Sequence, residues 1–135
     1  VIINITILLV MIIAAYIDIK KRIIPDCIHL MLLVLGAIKI ITAELALAQS
    51  LLGFFVIGIP LLVIGLFTNG IGGGDIKLCA CTGFALGWDK TVLALLLSLF
   101  LFILFSGILK IQKKKAESLA FAPFMAFGSL IFIFW

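Results

Sequence analysis

Charge is scarce in this chain of 135 residues, with 12% charged side chains, only six acids and a single histidine. Cysteine is limited to three residues and proline to three. The shortage of charge excludes a soluble globular domain, because 66% of the residues are hydrophobic and the mean hydropathy is +1.48. With no long polar stretch, low-complexity tract or internal repeat, residues 1–135 read as a single membrane-embedded domain. The cysteines give no metal site. Cys79 and Cys81 are two apart on an expected helix and project in nearly opposite directions, and Cys27 stands alone. In a reducing compartment all three read as small packing residues. His29 falls one turn into the second apolar run and reads as an interfacial histidine, which leaves no second histidine for a Ser/His/Asp set. Neither a cofactor nor a nucleic-acid partner is implied.

Long apolar runs are what the chain does have. Measured against bilayer thickness they give six candidate segments, about Val1–Ile17, Cys27–Ile41, Leu51–Phe67, Ile76–Trp88, Thr91–Lys110 and Leu119–Trp135. The expected fold is an all-α bundle of about six transmembrane helices. The first run lacks the basic region and small-residue cleavage site of a signal peptide. The fourth is too short to span alone. Its small residues (Cys79, Ala80, Cys81, Gly83, Ala85 and Gly87) suit close helix packing, which predicts a place inside the bundle. Pro60 and Gly65 mark a potential kink in the third helix.

Basic residues set an expected orientation. The linkers after the first, third and fifth segments hold Lys20, Lys21, Arg22, Lys77, Lys110, Lys113, Lys114 and Lys115. The opposite side holds Lys39 and Lys90, together with Glu44 and Asp89. By the positive-inside rule the first group faces the cytoplasm and both termini face outward. Lys113–Lys115 suit anionic lipid headgroups of the bilayer.

Two aspartates then fall on one face. Asp18 ends the first apolar run ahead of Lys20, Lys21 and Arg22, and Asp75 follows Gly72, Gly73 and Gly74. An aspartate costs roughly 2.5–3.5 kcal/mol at the centre of a bilayer helix, so acids near the membrane core face an interior or watery site. Each has a bland reading. Asp75 suits the N-cap of the fourth helix, and Asp18 suits a helix-end residue paired with the adjacent cations. The combination weighs against both readings: Asp18 with Pro25 seven residues on, and a glycine-rich Asp75 with Lys77 two residues on, share one topological side.

The run Asp18-Ile19-Lys20-Lys21-Arg22-Ile23-Ile24-Pro25-Asp26 resembles the first-aspartate motif of the type IV prepilin peptidases, including the preflagellin peptidases. Gly72-Gly73-Gly74-Asp75-Ile76-Lys77 resembles their Gly-x-Gly-Asp motif, whose acid is catalytic in that family. Phe121-Ala122-Pro123-Phe124 is similar to their Phe-Gly-Pro-Phe element, with Ala122 where many relatives have Gly. Asp26 stands where many have Asn and adds a third carboxylate beside the pair. The resemblance implies a peptidase acting on prepilins, pseudopilins or preflagellins in the plasma membrane of a prokaryote, with its active site facing the cytoplasm. Such substrates carry a short basic leader, a small residue at the cut and an apolar helix. No region with paired Cys-x-x-Cys motifs, associated in relatives with methyl transfer, precedes the first segment, so the expected form is peptidase-only.

That resemblance assigns catalysis to Asp18 and Asp75, with Gly72, Gly73, Gly74, Lys77 and Pro25 shaping the site. Two nearby carboxylates share one proton, so one acts as general base on water while the other polarises the scissile carbonyl. Lys77 would favour ionisation of Asp75 if its amine turned inward. Two rivals are weaker. A presenilin-like protease carries its first acid as Tyr-Asp inside a helix, a pair broken here by Tyr16-Ile17-Asp18. A small proton- or cation-coupled transporter calls for acids at mid-membrane depth.

Overall fold

The computed structural model describes residues 1–68, 71–111 and 119–135. Six α-helices make up the fold: α1 (Ile2–Lys21), α2 (Asp26–Ile41), α3 (Leu47–Thr68), α4 (Gly73–Leu86), α5 (Trp88–Ile111) and α6 (Ala122–Phe132). There is no strand among the described residues. Lys113–Lys115, expected to meet lipid headgroups, lie outside the described residues.

Apolar length divides the helices into two kinds. Ile2–Lys21, Leu47–Thr68 and Trp88–Lys110 are long and apolar enough to cross a membrane, whereas α2, α4 and α6 are shorter. The spans of α3 and α5 leave most of their side chains on the outer surface, among them Phe55, Leu66, Phe67, Phe100 and Ile103. Such an apolar surface matches lipid rather than water. α4 is the opposite case. From Leu78 to Leu86 it is buried, apart from the partly exposed Phe84, as its small residues predict. It packs most extensively on α3 and α2.

Close backbone approach is what lets so short a helix sit in the middle. A Cβ on Gly53 of α3 or on Gly83 of α4 would collide with the other's carbonyl. A Cβ on Gly36 of α2 would meet the Phe84 ring at 2.6 Å. Membrane helices gain little from hydrophobic exclusion between one another, so such small-residue contacts carry their association. α3 runs unbroken through Pro60 and Gly65.

Several boundaries differ from the apolar runs: α3 begins at Leu47 rather than Leu51, α6 is confined to Ala122–Phe132 within the run Leu119–Trp135, and α1 and α4 differ in ways that bear on the site. α1 continues past Ile17 to Lys21, so Asp18 lies in its last turn rather than at its end; Arg22 closes it in the left-handed region (φ 54°), its N–H donating to Asp18 O at 2.8 Å. α4 begins at Gly73 rather than Ile76, because Gly72 O accepts the N–H groups of Asp75 and Ile76 at 3.0 and 3.2 Å. α4 also stops at Leu86, since Gly87 turns the chain with φ 91°, a conformation glycine adopts without a steric cost. Trp88 therefore opens α5 instead of closing α4.

The connections gather at two ends of the bundle. At one end Asn4 Nδ2 donates to Ile133 O at 3.2 Å, which brings the two termini together. The other end holds the last turn of α1, the first turns of α2 and α4 and the start of α6.

Candidate active site

Asp18 is buried, and its position is set by the chain that enters α6. Its Oδ2 accepts the backbone N–H of Ala122 at 3.1 Å, a contact across 104 positions. Pro123 occupies the first turn of α6, where a missing N–H costs nothing. The N-terminal end of α6 therefore presents a free donor to the carboxylate, which suits an anion. The Phe-Ala-Pro-Phe element thus acts on Asp18, a link its sequence did not reveal.

Asp75 lies in the first turn of α4, half-buried, just ahead of the apolar run from Ile76. It does not cap the helix. Gly72 is the N-cap, and no side-chain hydrogen bond closes it. Asp18 and Asp75 line one cavity of about 300 Å³, together with Arg22, Ile23, Ile24, Asp26, Gly72–Gly74 and Lys77. Burial, and then the nearby Asp18 charge, push Asp75 up to about 6. Its other flank meets a smaller apolar cavity of about 150 Å³ between α3, α4 and α5, walled by Leu61, Cys79, Leu95, Leu99 and Phe102. Asp75 thus stands between a polar space and an apolar one.

The glycines owe their place to room rather than to backbone conformation. Gly72 has an ordinary extended backbone (φ −66°, ψ 139°), and the one described glycine with positive φ is Gly87. A Cβ on Gly73 would meet nothing within 4 Å, and one on Gly74 would touch Ile24 at an ordinary 3.6 Å. The protein's own packing leaves space for side chains at both positions, and that space belongs to the cavity.

Asp26 and Lys77 take a different arrangement from the acids. Lys77 Nζ lies 3.1 Å from Asp26 Oδ1, and that hydrogen bond and charge hold the exposed Asp26 carboxyl below its usual range. The Lys77 amine is therefore engaged with Asp26, not turned inward on Asp75. Pro25 provides the extended N-cap of α2 (φ −63°, ψ 142°), so it sets where α2 begins and Asp26 projects.

His29 reaches further into the site than an interfacial histidine would. It is buried, its Nε2 lies 3.2 Å from Gly74 O, and its Nδ1 lies 3.5 Å from Asp26 Oδ1. The available signal was its spacing: His29 follows Asp26 by three residues, which places both on one helix face. Cys79 and Cys81 are buried and Cys27 is exposed, all as free thiols. Among the described residues no three His, Cys, Asp or Glu side chains gather as a metal would require.

A membrane-type helix bundle with two carboxylates from separate helices on one cavity defines the class. The chain belongs to the type IV leader peptidase family, whose sequence pattern matches residues 5–107. It is 35% identical over 125 residues to the prepilin leader peptidase/N-methyltransferase of Bacillus subtilis (strain 168). That match covers 90% of this chain and 50% of the relative, so the chain spans about half the length of the curated relative it matches. No solved structure matches.

Proposed function

We propose that this protein is a membrane aspartyl endopeptidase that removes the short basic leader of type IV prepilins or of pilin-like proteins (pseudopilins, preflagellins). The observation that carries this reading is the shared cavity of Asp18 and Asp75, set in a chain of the leader peptidase family. Asp75 holds the shared proton, consistent with its burial and the adjacent Asp18 charge. Asp18, already accepting the Ala122 N–H, takes a proton from water, and that water attacks the scissile carbonyl. Asp75 donates its hydrogen bond to the carbonyl oxygen, and a carboxyl then protonates the leaving amine. Gly72–Gly74 leave room for the extended substrate backbone beside Asp75.

The site end faces the cytoplasm in this reading, supported by the excess of Lys and Arg in the linkers on that side. The cut then falls where the substrate's leader meets its apolar helix, and the membrane is the plasma membrane of a prokaryote. The test is cleavage of a prepilin-type substrate by the purified chain, with Asp18→Asn, Asp75→Asn and Asp26→Asn compared after each is shown to fold. Loss of cutting in the first two alone is the expected result. Loss in Asp26→Asn with retention in Asp18→Asn would move the first acid to Asp26, and cutting by both dyad variants would end the aspartyl reading.

A further inference from the structure

The peptide unit that carries Asp75 is gripped on both sides. Its N–H, that of Asp75, donates to Gly72 O at 3.0 Å, and its carbonyl, that of Gly74, faces His29 Nε2 at 3.2 Å. A carbonyl can only accept, so Nε2 carries the proton in that contact. At the other edge of the ring Nδ1 stands 3.5 Å from Asp26 Oδ1, a contact that becomes an ion pair only when the ring is doubly protonated, and Asp26 itself is bonded to Lys77 at 3.1 Å. His29 belongs to α2 and Asp75 to α4, and the two helices pack together, so the bond ties one helix to the acid-bearing turn of the other. The need for such a tie follows from the glycines. Three in succession give the turn before Asp75 a soft backbone, and even a Cβ added to Gly73 would find no neighbour within 4 Å to hold it.

We infer that His29 is a positioning residue for catalysis: its Nε2–H, through the Gly74 carbonyl, fixes the direction in which Asp75 presents its carboxyl to the cavity shared with Asp18. His29 does not line that cavity, so its part is to position Asp75 rather than to react. Its effect falls on kcat, because misplacing a reacting group by about 1 Å can cost on the order of a hundredfold in rate while leaving binding surfaces intact.

The kinetic arm rests on the peptidase reading above, and a second arm does not. The experiment compares the full chain with His29→Leu, which fills the space without a donor, and His29→Gln, whose side-chain amide restores one. Expected for His29→Leu is a fall in kcat of about tenfold or more with KM little changed, and recovery of most of that loss in His29→Gln. Hydrogen exchange at the Asp75 and Ile76 amides supplies the second readout. It should quicken in His29→Leu and return toward wild type in His29→Gln, whether or not the preparation cuts a substrate. Equal kcat in wild type and His29→Leu would overturn the inference. So would a His29→Gln variant as slow as His29→Leu at an unchanged thermal midpoint, or exchange at these amides indifferent to residue 29. A wild type that cuts nothing, with exchange still responding to residue 29, would sink the peptidase reading and leave the brace in place.

Discussion

An acid in a chain this apolar must find water, a partner or a proton, and the acids at the site end each find a different solution. Asp26 takes Lys77, Asp18 takes a backbone N–H, and Asp75 keeps its proton to about pH 6. The last has a consequence for stability. In the unfolded chain Asp75 ionises near its ordinary 3.8, whereas in the folded protein burial and Asp18 hold the proton to about 6. The folded state therefore binds more protons between those values, and stability falls as pH rises from 3.8 through 6. Below that window the full contribution is present, and above it the strain of the charge is complete. Asp75→Asn removes the charge at nearly constant shape. It should raise the thermal midpoint at pH 7.5 and leave it close to wild type near pH 3.5, read by unfolding scans in detergent. Carboxyl NMR adds a second check. In Asp18→Asn the Asp75 titration should move down toward 3.8 without reaching it, since burial is the larger cause. Both acids were legible in the sequence because a charge between apolar runs is costly enough to need a reason. His29 and the Ala122 N–H were not legible. Their roles rest on contacts 45 and 104 positions apart, and the spacing of His29 from Asp26 points to a shared helix face without pointing to Gly74.

Elements rather than single residues explain why the site end is shaped as it is. α4 descends into the bundle at its far end and offers its first turn to the cavity, which is possible only because Gly53 and Gly83 let α3 and α4 touch backbone to backbone. Gly83→Leu should therefore destabilise at the upper end of the ~1–3 kcal/mol of overpacking or beyond, since the obstacle is a carbonyl and not a flexible side chain. A fall in thermal midpoint and in the yield of folded protein is the measurement. Gly73→Ala is the contrasting case. No protein atom stands in the way of its methyl group, so the midpoint should hold. If the space beside Asp75 receives substrate backbone, cleavage should nonetheless drop. Normal cutting by Gly73→Ala would show that the glycines are there for something other than room. Six helices could be read from the apolar runs, and the small residues announced α4 as an inner helix. The ends were misread where backbone bonds decide them: Gly72 O draws the glycines into α4, and the left-handed Arg22 lets α1 run past Asp18.

The whole bundle has a polarity that the charges predict and the helices can be made to report. The two termini meet at one end through Asn4 and Ile133, while the Asp18–Asp75 cavity opens at the other. Cys27 is exposed on the site end beside Asp26, and Glu44 is exposed at the turn after α2, on the end opposite the site. If the excess of Lys and Arg orients the protein, these two positions lie on opposite sides of the membrane. Replacing Cys79 and Cys81 by alanine leaves Cys27 as the one thiol, and a second variant adds Cys27→Ser with Glu44→Cys. In intact cells a membrane-impermeant maleimide should label the second variant and spare the first, and in inverted vesicles the pattern should exchange. The reverse pattern would put the acids on the outer face. A basic leader emerging into the cytoplasm would then never meet them, however well Asp18 and Asp75 are arranged, so the orientation decides whether this site can serve the substrate class its family implies.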